Sequence, residues 1–218
     1  MIQLQNLTKT YHRNGRTIAA LDGINLKVNA GEFIVVRGTS GSGKTTLLLT
    51  LGGMLRPTQG AVLIDERNLY ALSAPERATF RAQHLGFVFQ MFHLVPYLSV
   101  LENLRLAAGT MKSTPSIDSM HDMLHRLGLK DREGHLPSEL SAGEKQRAAI
   151  ARALIKEPKI ILADEPTGNL DPDNAHAVFR FLADYHRQGG TVLVVTHGHA
   201  ADEHANRIIH LENGHITT

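Results

Sequence analysis

The chain has 218 residues, 42% of them hydrophobic and 20% charged, with a formal net charge of +2. That length supports one packed core without covalent staples, and the lack of cysteine excludes disulfides and thiolate chemistry. So small a charge excess makes no bulk electrostatic case for a nucleic-acid partner, and none is expected.

In chain order, Met1 to Asn6 carries neither the basic start nor the apolar stretch of an export signal. No window approaches the roughly 18 apolar residues of a spanning helix, so any membrane role is expected to run through a partner. Asn25-Leu26-Lys27-Val28 alternates and Phe33-Ile34-Val35-Val36 is a buried run, which predicts strands, with turns at Gly15 and Ala30-Gly31. A glycine-rich loop leads into a helix predicted from Lys44 to about Leu55 and ended by Pro57 and Gly60. Ala61 to Ile64 and Leu85 to Phe89 read as strands, the second running to Gln90. From about 91 to 156 the spacing turns helical, as in Met120, Met123, Leu124, Leu127 and again Ile150, Leu154. Lys112 to Ser119, with Ser, Thr and Pro, reads as a loop. Strands return at Ile160 to Ala163, Thr191 to Thr196 and Arg207 to Leu211. The pattern predicts one α/β domain interrupted by a mostly helical lobe.

Gly38-Thr39-Ser40-Gly41-Ser42-Gly43-Lys44-Thr45 matches G-x-x-x-x-G-K-[ST] in full, between an apolar strand and a helix. Glycines let backbone N–H groups curl around phosphate oxygens, and the helix N-terminus adds partial positive charge. Lys44 should reach the β- and γ-phosphates and Thr45 should ligate Mg²⁺, with Thr46 following in the same turn. An incidental Gly/Ser-rich turn is the bland alternative, and it leaves the flanking strand and helix unexplained. Ile160 to Ala163 then runs into Asp164 and Glu165. An acid at such a strand tip holds Mg²⁺ in phosphate-loop enzymes, the role that fits Asp164. Glu165, one residue on, is placed to polarise an attacking water.

These motifs indicate a P-loop NTPase, with ATP and Mg²⁺ as the expected ligands. Leu140-Ser141-Ala142-Gly143-Glu144, followed by Lys145-Gln146-Arg147, resembles the signature of ABC ATPases, usually Leu-Ser-Gly-Gly-Gln. That resemblance covers almost the whole chain, and it implies a P-loop core with an N-terminal antiparallel β subdomain and an inserted α-helical subdomain. It also implies that Gln90 senses Mg²⁺ and the membrane partner, that Asn169-Leu170-Asp171 is a dimer-contact loop, and that His197 is a switch histidine near the γ-phosphate. Tyr11 sits where the family places a ring on adenine. Ser141 and Glu144 also have capping-box spacing, so the bland reading is a well-capped helix with no ligand. The functional reading makes Ser141, Ala142, Gly143 and Glu144 an anion site for ATP held mainly by another copy.

The chain departs from the family at Ala142 for glycine, Glu144 for glutamine and Gly198 for aspartate. Ala163 to Asp171 and Phe87 to Pro96 resemble ATPases of lipoprotein-release, macrolide-export, peptide-resistance and cell-division systems. That likeness implies a homodimer at the cytoplasmic face of the inner membrane, docked on transmembrane permease subunits near Gln90 to Pro96. Met91, Phe92, Leu94 and Val95 are the expected apolar docking residues. A soluble ABC ATPase of nucleic-acid repair or translation, or a small-molecule kinase on the same loop, are the competing readings. His197, His199, His204, His210 and His215 match no zinc spacing and read as scattered surface histidines.

Overall fold

The computed structural model describes residues 1–13, 15–109 and 114–217. The strands are β1 (Ile2–Arg13), β2 (Arg16–Val28), β3 (Phe33–Arg37), β4 (Gln59–Ile64), β5 (Arg67–Asn68), β6 (Leu85–Phe89), β7 (Ile160–Asp164), β8 (Thr191–Thr196), β9 (Arg207–Glu212) and β10 (His215–Thr217). The helices are α1 (Lys44–Leu51), α2 (Ala74–His84), α3 (Val100–Ala108), α4 (Ile117–Arg126), α5 (Ala142–Leu154) and α6 (Pro172–Arg187).

Two sheets result. The first is antiparallel, in the order β2-β1-β4-β5. The second runs β10-β9-β3-β8-β7-β6 and is parallel except for the β9–β10 pair. Its central strands are apolar on both faces, as a covered parallel sheet requires. Phe33, Val35, Ile161, Ala163, Val192 and Val194 face a core shared with α3 to α6. Their chain neighbours Ile34, Val36, Ile160, Leu162, Leu193 and Val195 face a second core, shared with α1 and the antiparallel sheet. The period-2 alternation of the strands thus holds α3 to α6 on one side and α1 with the antiparallel sheet on the other.

Strands β2, β3, β4, β6, β7, β8 and β9 cover the runs that predict them, β1, β5 and β10 come without a predicted counterpart, and three helical features differ from expectation. Helix α1 stops at Leu51 rather than near Leu55, because Gly52 caps it and Gly53 turns left-handed at φ 69°. Helix α2 has no counterpart among the elements the spacing predicts. It is polar, with Phe80 its only buried side chain, and it starts on a Ser73–Glu76 capping box with proline in the first turn. Helix α4 begins at Ile117, where the Ser116 hydroxyl accepts from the Ser119 N–H at 3.1 Å, so the loop expected over 112–119 ends earlier. Lys112 and Ser113 lie outside the described residues.

Candidate functional site

The site forms at the carboxyl ends of β3, β7 and β8, which are neighbours in the parallel sheet. Residues 38–43 curl between β3 and α1. Gly43 sits at φ 106°, and a Cβ there would stand 2.2 Å from the Ala20 carbonyl oxygen. Only glycine fits on both counts. Lys44 is 7% exposed. Its Nζ donates to the carbonyls of Gly38 at 2.8 Å and Thr39 at 3.0 Å, and stands 3.7 Å from Glu165 Oε1. The Ser42 hydroxyl is buried without a hydrogen-bond partner, an orphaned polar group inside the glycine loop. Thr39, Ser40, Gly41, Gly43, Lys44, Thr45 and Thr46 line a cleft of about 620 Å³ together with Gln90, Glu165 and His197.

Asp164 ends β7 and accepts a hydrogen bond from the Thr45 hydroxyl at 3.2 Å. Burial pushes its carboxyl above the usual range, against the opposing pull of that bond. Glu165 leaves the strand in the left-handed region, φ 42°, a strained conformation for a residue with a side chain. Its Oε2 accepts from the Thr196 hydroxyl at 2.9 Å and the His197 N–H at 3.3 Å, and its Oε1 lies 3.0 Å from His197 Nδ1. The two adjacent acids therefore keep different company: Asp164 the hydroxyl of the phosphate loop, Glu165 the tip of β8. Gln90 follows β6, and its carbonyl accepts from the Asn169 side chain at 3.1 Å. Thr45, Asp164 and Gln90 offer hydroxyl, carboxylate and amide oxygens, a donor set that suits a hard divalent cation.

Among the described residues, Ser141 to Glu144, Tyr11 and Asp171 do not line this cleft. Tyr11, on β1, is 41% exposed, with the Lys9 ammonium 5.3 Å from its ring centroid. Ser141 caps α5: its hydroxyl accepts from the Glu144 N–H at 3.2 Å, and Glu144 accepts from the Ser141 N–H at 2.8 Å. The same reciprocal box starts α2 and α3, so S-x-x-E by itself marks a helix start rather than a ligand. A second bond sets Glu144 apart. Arg132 donates to it at 2.7 Å, and mainly for that reason its carboxyl is held down to about 2. A Cβ on Gly143 would stand 2.3 Å from Asn174 Oδ1, so any side chain there would have to displace the Asn174 amide. Ala142 is exposed at the first helical position, where alanine is well tolerated.

Sequence reasoning missed Thr196, Arg132 and Asn174. Thr196 stands beside His197 at a strand end. Asn174 is three residues after Asp171, which caps α6 by accepting from the Asn174 N–H at 3.0 Å. Both were findable from spacing; no local signal marks Arg132. The apolar residues expected to dock, Met91, Phe92, Leu94 and Val95, do not share one environment. Met91 is 68% exposed, but Phe92, Leu94 and Val95 are half-buried, and Leu94 packs on the helical core. Tyr97, which the sequence reading passed over, is 78% exposed.

The ABC transporter family model matches residues 21–168. The lipoprotein-releasing system ATP-binding protein LolD of Shewanella frigidimarina is 42% identical over 218 residues, 98% of this chain and 91% of its own length. The macrolide export ATP-binding/permease protein MacB of Chlorobaculum tepidum is 43% identical over 98% of this chain, which spans only 33% of it. Among solved structures, the dimeric post-hydrolysis state of the ATP-binding cassette MJ0796, bound to ADP and Pi, is 38% identical with a TM-score of 0.94, covering 100% of this chain and 97% of that one. A phosphate loop, a strand-tip acid pair and a capped signature helix on this fold agree with those likenesses, and the chain belongs to the ABC transporter family as one of its ATP-binding, ATP-hydrolysing cassettes.

Proposed function

We propose that this cassette hydrolyses Mg-ATP between two copies of itself and passes the motion to membrane permease subunits at the cytoplasmic face of the inner membrane. Systems of the lipoprotein-release or macrolide-export type are the ones its relatives' names support. The observation that carries the reading is the divided site. The phosphate loop, Glu165 and His197 share one cleft, while the capped N-terminus bearing Ser141 and Gly143 stands outside it. A second copy brings that helix N-terminus to the phosphates, with Asp171 at the contact. The chain acts as a single domain, with a helical subdomain over about 91–156 within it.

In this reading the N–H groups of residues 39–45 and the Lys44 ammonium hold the β- and γ-phosphates, and Tyr11 stacks on adenine. Thr45, Asp164 and Gln90 hold Mg²⁺, which when bound neutralises phosphate charge. Glu165 orients and polarises the attacking water, and His197, bonded to it, fixes its carboxylate at the γ-phosphate end. Glu165→Gln keeps the shape and removes the charge. Light scattering with Mg-ATP is expected to show that variant as a dimer and Glu165→Gln/Ser141→Arg as a monomer. A Glu165→Gln protein that binds ATP yet stays monomeric, alone and with its membrane partner, would overturn the shared-site reading.

A further inference from the structure

We infer that Arg37 is a positioning residue for hydrolysis, holding the loop that carries His197 against Glu165. The inference rests on the roles proposed above for those two side chains.

Arg37 ends β3, immediately before the phosphate loop, and its Cα pairs with Thr196 on β8. The rest of β3 is Phe, Ile, Val and Val, all fully buried, so a guanidinium is out of keeping with its strand. Its side chain is only 15% exposed, and its Nε is buried with no hydrogen-bond partner. Burying a cation that is incompletely bonded costs folding free energy, so packing alone gives no reason for arginine here. What it does touch is the switch loop. One guanidinium nitrogen donates to the Gly198 carbonyl at 3.3 Å and pairs with the Asp202 carboxylate. Asp202 in turn meets His199 Nδ1 at 3.2 Å, and its N–H donates to the His199 carbonyl at 3.0 Å. The Gly198 N–H donates to the Thr196 hydroxyl at 3.0 Å, the same hydroxyl that donates to Glu165.

Gly198 follows His197 directly and has no side chain with which to hold its own backbone. Both of its backbone polar groups are tied, the N–H to Thr196 and the carbonyl to Arg37. The loop is therefore pinned at Gly198 and at Asp202, and immediately before the first pin His197 Nδ1 rests 3.0 Å from Glu165 Oε1. The side chain of His197 is otherwise 69% exposed, so little packing keeps it there. Without the arginine anchor, Gly198 regains its conformational freedom and the histidine loses its register on Glu165. Because Arg37 also precedes Gly38, the anchor fixes the switch loop relative to the phosphate loop.

The test is steady-state ATPase on the purified cassette for Arg37→Ala, Arg37→Lys, Asp202→Asn, His197→Ala and Arg37→Ala/His197→Ala, with ATP binding measured separately. Arg37→Ala and Asp202→Asn are each expected to lower kcat about tenfold, the scale of a misplaced catalytic group, with ATP binding unchanged. Arg37→Lys keeps a cation for Asp202 and is expected to recover part of the loss. In the His197→Ala background the Arg37 substitution is expected to cost nothing further. Wild-type kcat in folded Arg37→Ala and Asp202→Asn would overturn the inference, and so would an undiminished Arg37 effect on top of His197→Ala. If Arg37→Ala does not fold, Asp202→Asn carries the same test with its shape preserved. Wild-type turnover in His197→Ala itself would instead remove the hydrolysis reading on which the inference stands.

Discussion

Lys44 Nζ stands 3.7 Å from Glu165 Oε1, while its hydrogen bonds go to the carbonyls of Gly38 and Thr39. One ammonium thus joins the phosphate loop after β3 to the acid after β7, across the intervening strand β8. Both side chains are mostly buried, 8% and 15% exposed, so the attraction is less screened than at the surface. Lys44→Ala is expected to lower ATP turnover by at least about a hundredfold and to weaken ATP binding, with the fold intact. Turnover and nucleotide titration check it together, and near-wild-type turnover in a clean preparation would remove Lys44 from the site.

The glycines of the loop are not equivalent. Gly43 combines φ 106° with a Cβ position 2.2 Å from the Ala20 carbonyl, whereas Gly41 has φ 82° and open space. Gly41→Ala is therefore expected to cost about 1 kcal/mol of backbone strain and to retain some ATP binding. Gly43→Ala must also push β2 away from α1, and it is expected to abolish binding. Thermal unfolding with and without ATP separates the two, and equal behaviour would contradict the steric distinction.

Legibility from sequence followed the range of the interaction that decides each feature. Phe33 to Val36, Ile160 to Ala163 and Thr191 to Thr196 are apolar runs in the primary sequence, so their strands were readable. The phosphate loop and Asp164-Glu165 stand directly after such runs, which places them at strand tips. Helix α2 escaped because only Phe80 of it is buried, leaving no apolar stripe to read. Helix α1 ends ahead of Pro57, the terminator its sequence suggests, because the pair Gly52-Gly53 stops it first. Arg37 and Asp202 are 165 residues apart, and Arg132 meets Glu144 through the fold, so no local pattern announces either pair.

Glu144 provides a pH test of the signature helix. Arg132 and the Ser141 N–H hold its carboxyl down to about 2 in the folded chain, below the ordinary 4.5. The unfolded chain thus takes up this proton first as pH falls. The stability that the carboxylate contributes is fully present above about 4.5 and disappears as pH falls toward about 2. Glu144→Gln removes the charge at every pH. Its deficit in melting temperature against the parent is expected to be largest above pH 5 and to shrink in acid, and a pH-independent deficit would mean that the ion pair contributes nothing.

The loop after Gln90 separates side chains that hold the fold from those free to meet a partner. Phe92 and His93 are both left-handed, at φ 59° and 51°, and the Arg152 guanidinium on α5 donates to both of their carbonyls. Leu94 packs on the helical core, and the Asn103 side chain accepts from the Val95 N–H at 2.8 Å. These contacts fix the backbone of the loop and leave Met91 and Tyr97 largely exposed, at 68% and 78%. Large apolar and aromatic side chains held out from a rigid loop are the kind that anchor an interface. If permease subunits dock here, Met91→Ser/Tyr97→Ser is expected to weaken assembly with them about tenfold or more. Basal ATPase and melting temperature of the isolated cassette are expected to stay at parental values. Leu94→Ser is the contrasting variant, expected to destabilise the cassette itself by about 1–2 kcal/mol because it empties part of the core. Co-purification with the membrane partner and thermal unfolding read the two effects apart. Unchanged assembly in the double variant would place the docking surface elsewhere, and loss of stability in it would show that Met91 and Tyr97 serve the fold.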